Sequence, residues 1–310
     1  MAAALKSADP GLFHRGTADD PRLGERIRPG PAAGGVALIG HADDRAVVNG
    51  RGRAGAVSGP SELRRFLSRL TPGDRGELDG LPIFDLGDAT AELGGIDAVH
   101  AAIEEAALGA LRAGACAVLL GGGHDGAFAS HSALLRAVGG RVAAVNVDAH
   151  LDVRPLRDGQ ITSGTPFRRL AERWGARYAL VELGIQPQHN ARAHREWAAE
   201  HGFPILTLEE VRGRVPEAFA EALRAPAEAV AVSLDLDSVE AASAPGVSAP
   251  CPDGLSAADL FACARLAGRD PRVRVLDVME LAPPLDVDGR TARLGAMAIW
   301  SFLAGVAERP

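Results

Sequence analysis

The run Val142-Ala-Ala-Val-Asn-Val147 passes directly into Asp148-Ala-His150-Leu-Asp152-Val-Arg154. A short, continuous apolar run rich in β-branched residues reads as a buried strand. On an extended backbone alternate side chains share a face, so Asp148, His150 and Asp152 are expected to converge. Two carboxylates and an imidazole gathered at the end of a core strand are costly unless something compensates them. A metal ion would. The feature therefore predicts a strand that ends at a polar rim, where a site can form.

The rest of the chain supplies the sheet around that strand. Further apolar runs read as strands at residues 35–40, 81–86, 115–120, 178–184, 204–208, 229–235 and 273–279. Amphipathic segments between them read as helices at 62–70, 96–113, 127–138, 190–200, 216–223, 256–266 and 290–307. Strands alternating with helices predict an α/β fold, a single three-layer α/β/α domain with a mostly parallel sheet of about eight strands. It would span residues 34–310, and residues 1–33, without periodicity, read as a poorly ordered or peripheral N-terminal segment. Ligands of open parallel sheets bind beyond the carboxyl ends of the strands. Four strands place acid or imidazole groups there: His124 after 115–120, the Asp148 cluster, Asp235 and Asp237 after 229–234, and Glu280 after 273–279.

Net charge is −7, from 33 basic and 40 acidic residues. With no basic block to offset it, this argues against a nucleic-acid or anionic-membrane surface. The three cysteines form no C-x-x-C pair, and no secretory signal or spanning apolar segment is evident. A cytoplasmic location is the expectation. Cys116 reads as inert core and Cys251, in a Pro-rich loop, as exposed.

Gly121-Gly122-Gly123-His124-Asp125-Gly126 matches G-x-G-x-x-G between a strand and a helix. A dinucleotide site would explain those glycines but leaves the His/Asp cluster without a purpose. Taken singly, Asp148-x-His150 and Asp235-Leu236-Asp237 could be capping turns, and His124 a structural imidazole. Six such residues on three strand ends point instead to a dinuclear metal site. Asp148, Asp152, Asp235 and Asp237 carry −4, which two divalent ions would neutralise with His124 and His150 uncharged. A carboxylate and imidazole set without thiolates suits Mn²⁺, with Zn²⁺, Fe²⁺ or Co²⁺ as alternatives.

Gly-Gly-Gly-His124, Asp148-Ala-His150-Leu-Asp152, and Ser233-Leu-Asp235-Leu-Asp237 followed by Ala244-Pro245-Gly246 resemble the ureohydrolase superfamily of arginases and agmatinases, over roughly residues 35–307. That resemblance implies an arginase-like sheet, two Mn²⁺ ions per subunit, hydrolysis of a guanidine or amidine C–N bond, and a homo-oligomer, trimer or hexamer. It also implies His124, Asp148, Asp152 and Asp235 around one ion and His150, Asp148, Asp235 and Asp237 around the other. Within the superfamily, Ser163-Gly-Thr-Pro-Phe-Arg168, Ala244-Pro-Gly-Val-Ser-Ala-Pro250, Asp288-Gly-Arg-Thr-Ala-Arg-Leu294, Gly184-Ile-Gln-Pro187 and Gly52-Arg-Ala-Gly55 are most similar to the formimidoylglutamase branch, which converts N-formimidoyl-L-glutamate and water to L-glutamate and formamide in histidine degradation.

Arginases carry Asn where this chain has Arg154, and a proton-shuttling His where it has Phe167. Asp125 stands where Glu or Ser is usual, and Ala282 where Asn is. Arg154 suits bidentate binding of a carboxylate; Ser163, Gly164 and Thr165, opening a helix at Pro166, would bring N–H donors to a second one. Asp152 would hold the attacking water and pass a proton to the leaving nitrogen, and Glu280 would pair with the cationic amidinium. Arg168 reads as an exposed helix arginine. The rival readings are an agmatinase or other guanidino-acid hydrolase releasing urea, and a metal-binding homologue without turnover.

Overall fold

The computed structural model describes residues 5–309. Among them nine strands form one sheet: β1 (Ile27–Pro29), β2 (Val36–Ala42), β3 (Ile83–Thr90), β4 (Cys116–Leu120), β5 (Val142–Val147), β6 (Tyr178–Ile185), β7 (Ile205–Thr207), β8 (Ala229–Asp235) and β9 (Val273–Met279). Their order is β1-β3-β2-β4-β9-β8-β5-β6-β7, and every pairing is parallel. The helices are α1 (Arg45–Asn49), α2 (Gly59–Leu67), α3 (Ile96–Arg112), α4 (Ala127–Ala137), α5 (Pro166–Trp174), α6 (Arg192–Glu200), α7 (Leu208–Val211), α8 (Val215–Leu223), α9 (Ala257–Arg269) and α10 (Arg290–Ala307).

The two-residue period of each strand divides the core into two faces. In β4, Cys116, Val118 and Leu120 join a cluster with Leu63 of α2, Phe219 of α8, Leu260 of α9 and Phe302 of α10. Ala117 and Leu119 join another with Ile103 of α3, Leu134 of α4 and Phe167 of α5. Helices therefore cover both faces, giving three layers, and the continuous apolar runs are explained because neither face meets water. No helix of the described residues is long and apolar enough to cross a membrane.

Register sets up the site. Leu120, Val278, Leu234 and Val147 form one row across β4, β9, β8 and β5. Residues just past that row leave four adjacent strands at the same level. The ninth strand was not anticipated. It lies at the sheet edge within the segment read as peripheral, and that segment also buries Leu23 and Ile27. A three-residue strand with one buried side chain leaves too little pattern to read.

Candidate metal centre and substrate cleft

β5 ends at Val147, so strand alternation does not by itself gather Asp148, His150 and Asp152. The chain turns tightly instead. Asp148 Oδ1 accepts the His150 N–H at 2.7 Å, and Asp152 adopts a left-handed φ of 47°. Such a backbone is strained for a residue with a Cβ and is typical of functional positions. At β8 the same device recurs, with Asp235 Oδ1 accepting the Asp237 N–H at 2.8 Å. Both motifs are capping turns, and in each the other carboxylate oxygen faces the shared centre.

His124 Nδ1 lies 3.2 Å from Asp148 Oδ2, 3.0 Å from Asp152 Oδ2 and 3.0 Å from Asp235 Oδ2. His150 Nδ1 lies 3.4 Å from Asp148 Oδ1 and 3.2 Å from Asp237 Oδ2. Two groups of convergent ligand atoms result: His124, Asp148, Asp152 and Asp235, and Asp148, His150 and Asp237. Asp148 belongs to both. Asp235 belongs to the first alone, because its second oxygen is engaged by the Asp237 amide.

The donor set fits divalent cations. His124 Nε2 is hydrogen-bonded to Ser233 Oγ at 2.8 Å, which leaves Nδ1 buried, without a hydrogen-bond partner, and facing three carboxylates. A lone pair aimed at negative charge is tenable only with a cation between them. Without metal, protons take that part. Burial opposes charge on His124, but hydrogen bonds to Asp148, Asp152 and Asp235 raise its pKa well above the usual imidazole range. The Asp237 charge raises that of His150. Burial pushes Asp237 up to about 7 and Asp235 well above the carboxylate range, whereas hydrogen bonds to both imidazoles outweigh burial at Asp148 and pull it down.

Several supporting groups lie outside the sequence motifs. Asn146 Nδ2 donates to Glu182 Oε2 at 2.9 Å and to Asp148 Oδ2 at 3.3 Å. Glu182, fully buried in β6, has its pKa driven up by burial. A polar residue inside each of two apolar strands was the available signal. Asp125 turns away from the centre: its Oδ2 accepts from His100 Nε2 at 2.7 Å, and Arg169 Nη1 lies 3.2 Å from His100 Nδ1. Arginine can only donate, so that imidazole is committed on both nitrogens. The cluster of His41, His100 and Asp125 is thus a hydrogen-bonded brace for the loop that carries His124. The glycines of that loop serve backbone approach; a Cβ on Gly122 would stand 2.1 Å from the His41 carbonyl oxygen.

A cleft of about 310 Å³ opens onto the centre, walled by Arg51, Arg53, Arg154, Ser163, Gly164 and Ser248. His150, Asp152, Asp235, Asp237 and Glu280 form its floor. Glu280, left-handed at φ 67°, accepts the His124 N–H at 2.7 Å through Oε1, leaving its other oxygen for a ligand. Arg154 lies across Gly164, where a Cβ would stand 2.7 Å from Arg154 Cδ. Thr165 does not reach the cleft. It is buried, and its hydroxyl donates to the Thr162 carbonyl at 2.7 Å. Nor is the start of α5 open to a ligand as expected, since the Phe167 N–H donates to the Asp152 carbonyl and Pro166 has no N–H. Phe167 packs edge-on against His124, ring centroids 5.3 Å apart, where it excludes water from the imidazole. Arg168 pairs with Glu172 at 2.8 Å on the helix surface. Cys251, expected to be exposed, is buried with Sγ 3.7 Å from His189 Nε2.

The sequence is similar to known proteins along nearly its whole length. It is 34% identical to a formimidoylglutamase of Ralstonia nicotianae over 97% of both chains, and 35% identical to one of Halobacterium salinarum over 93% of this chain and 96% of that one. The fold superposes on Trypanosoma cruzi formiminoglutamase, solved with Mn²⁺, with a TM-score of 0.87 at 34% identity, covering 94% of this chain and 100% of that one. The model of the arginase family matches residues 35–305, and the chain belongs to that family.

Proposed function

We propose that this chain is a formimidoylglutamase: it hydrolyses N-formimidoyl-L-glutamate with water to L-glutamate and formamide, using two Mn²⁺ ions per subunit. The observation that carries the reading is Arg154 on the cleft wall above an unbroken set of six candidate ligands, in a chain similar from end to end to formimidoylglutamases. A guanidinium facing the cleft selects for a substrate with a carboxylate. Agmatine offers none.

His124, Asp148, Asp152 and Asp235 would hold one ion, and Asp148, His150 and Asp237 the other. Bound there, the pair would polarise the amidine and make water acidic enough to supply hydroxide near neutral pH. The chain's own residues do the rest. Glu280, one oxygen anchored by the His124 amide, takes the cationic amidinium on the other and aligns its carbon over the floor. Arg154 and Ser163 hold the carboxylate nearest the reacting nitrogen. Asp152 accepts the proton of the attacking water on a carboxylate oxygen and delivers it to the leaving amine; Phe167 stands where a shuttling imidazole would otherwise do this. The C–N bond breaks, the nitrogen leaves protonated as glutamate, and the formimidoyl carbon leaves as formamide. Three buried, unbridged cysteines support a cytoplasmic location, and a trimer or hexamer follows from the family likeness alone.

The test is product analysis on protein stripped of metal and reloaded with Mn²⁺, offered N-formimidoyl-L-glutamate, agmatine and arginine separately. Formamide and glutamate, formed only with metal, are expected. Urea from a guanidine would overturn the substrate assignment, and metal binding without turnover of any of the three would overturn the enzyme.

A further inference from the structure

Beside the catalytic cleft lies a second cavity, of about 360 Å³, that no step of the reaction above uses. The two share Arg51 and Arg154 as a common wall. Arg157, His194, Asn49 and Thr162 complete the outer one, and no acidic residue lines it. In a chain of net charge −7, three guanidiniums and an imidazole around one hollow is an uncommon concentration of positive charge.

These cations are also unspent. Most arginines of the described residues are paired with a carboxylate or a carbonyl, but Arg51, Arg154 and Arg157 form no ion pair and no side-chain hydrogen bond. Asp158 follows Arg157 without pairing to it. Thr162 Oγ1 is buried and lacks a hydrogen-bond partner, which leaves a further donor on the same wall. Arg51 is held at a left-handed φ of 65°, a strained conformation for a branched backbone position, and the same strain marks Asp152 and Glu280 on the cleft floor. The His194 pKa is lowered by burial and then by Arg154 and Arg157, as close approach of these groups requires.

We infer that the outer cavity is a subsite for a second, distal carboxylate of the substrate, held by Arg51, Arg157 and His194, with Arg154 standing between the two carboxylates. This rests on the reading of the function above and adds a specificity determinant to it. In an N-formimidoyl amino diacid the α-carboxylate carbon is three bonds from the reacting amidine carbon, and the side-chain carboxylate carbon five. The nearer carboxylate is thus confined to the inner cleft, by Arg154 and Ser163, while the farther one reaches past the shared wall. A dicarboxylic amidine fills both cavities, and a monocarboxylic or cationic one leaves buried or half-buried guanidiniums without a partner. That penalty, more than the attraction itself, excludes the wrong substrate.

Arg157→Gln tests this, because Arg157 is exposed and its replacement leaves the metal centre untouched. With Mn²⁺-loaded protein, KM for N-formimidoyl-L-glutamate should rise roughly 5-fold to 30-fold at unchanged kcat, as loss of one charged hydrogen-bonding partner predicts. KM for N-formimidoyl-L-glutamine, which has no distal charge, should change less than about twofold. Equal effects on both substrates, or none on either, overturn the subsite. Calorimetric titration with glutarate separates this from the catalytic reading. If the wild-type protein does not turn over the formimidoyl compound, the function is wrong, yet weaker glutarate binding by Arg157→Gln still upholds the subsite, and equal binding by both proteins refutes it.

Discussion

Ser233→Ala is the sharpest perturbation of the centre, because it removes one atom and no candidate ligand. Ser233 Oγ is the partner of His124 Nε2, at 2.8 Å, and both residues are wholly buried. The bond fixes which imidazole nitrogen carries the proton and so presents the Nδ1 lone pair to the carboxylates. With alanine, a buried N–H loses its partner, at about 1–3 kcal/mol. In the metal-free protein the ring can relax part of that loss by tilting within its cage. With Nδ1 held by a cation it cannot. About 1–2 kcal/mol should therefore appear as weaker metal binding, or roughly 5-fold to 30-fold for the ion at the His124 position. The assay is competition for Mn²⁺ against a chromophoric chelator, with thermal melting of both metal-free proteins alongside. Ser130→Ala is the control, since that buried hydroxyl bonds only the Ala127 carbonyl within its own helix. Mn²⁺ affinity within about twofold of wild type, accompanied by a lowered melting temperature, would show that Ser233 merely supports the fold and would refute the argument.

Arg154→Asn should raise KM for N-formimidoyl-L-glutamate by roughly 10-fold to 100-fold with little change in kcat, since it removes a contact made equally in ground and transition states; steady-state kinetics decide it, and a fall in kcat alone would contradict it. Metal affinity should increase with pH between about pH 6 and pH 8, because the raised pKa values of His124 and His150 mean that protons must leave before cations bind; chelator competition across that range would reveal a flat profile if this is wrong. Arg64 is wholly buried between Asp85 and Asp88, so Arg64→Met strands buried carboxylates and should cost about 3–5 kcal/mol, seen as a melting temperature lower by roughly 5–8 °C. A variant that melts within a degree or two of wild type would show that the carboxylates simply take up protons.

What could be read from the chain, and what could not, divides along physical lines. The helices and eight of the strands are marked by local patterns, since a strand buried on both faces must be apolar throughout and a covering helix must be striped. The six candidate ligands stand out because acids and imidazoles at the ends of such strands have no structural purpose. What stayed hidden depends on partners distant in sequence or on backbone angles. Asn146 and Glu182 bond across 36 residues, and nothing near either predicts the other. The left-handed backbone at Asp152 replaces the strand alternation that seemed to explain the cluster. Thr165 looked like a ligand because it precedes a helix, yet its hydroxyl turns back to the chain. Arg51 carries no motif, and only the folded cavity reveals what it faces.

The segment from Asp148 to Gly164 ties metal selection to substrate selection. It holds three of the six candidate ligands, and two residues beyond the last of them stands Arg154. The Arg154 N–H donates to the Gly164 carbonyl at 2.8 Å, and the Ser163 N–H donates to the Ala46 carbonyl at 3.1 Å. The loop is thus closed on itself and pinned to α1. Asp152 is held from the other side, its carbonyl accepting the Phe167 N–H at the start of α5. Because no side chain at Gly164 could clear the Arg154 stem, the guanidinium has one place to lie. The span from the metal floor to the carboxylate clamp is therefore set by two peptide units and a hydrogen-bonded turn, with no flexible hinge between them. Catalysis needs an amidine carbon placed to within a fraction of an ångström. A rigid spacer of fixed length provides that only for substrates whose carboxylate sits a fixed number of bonds from the reacting carbon, so the loop that assembles the metal centre also determines which amidines it can attack.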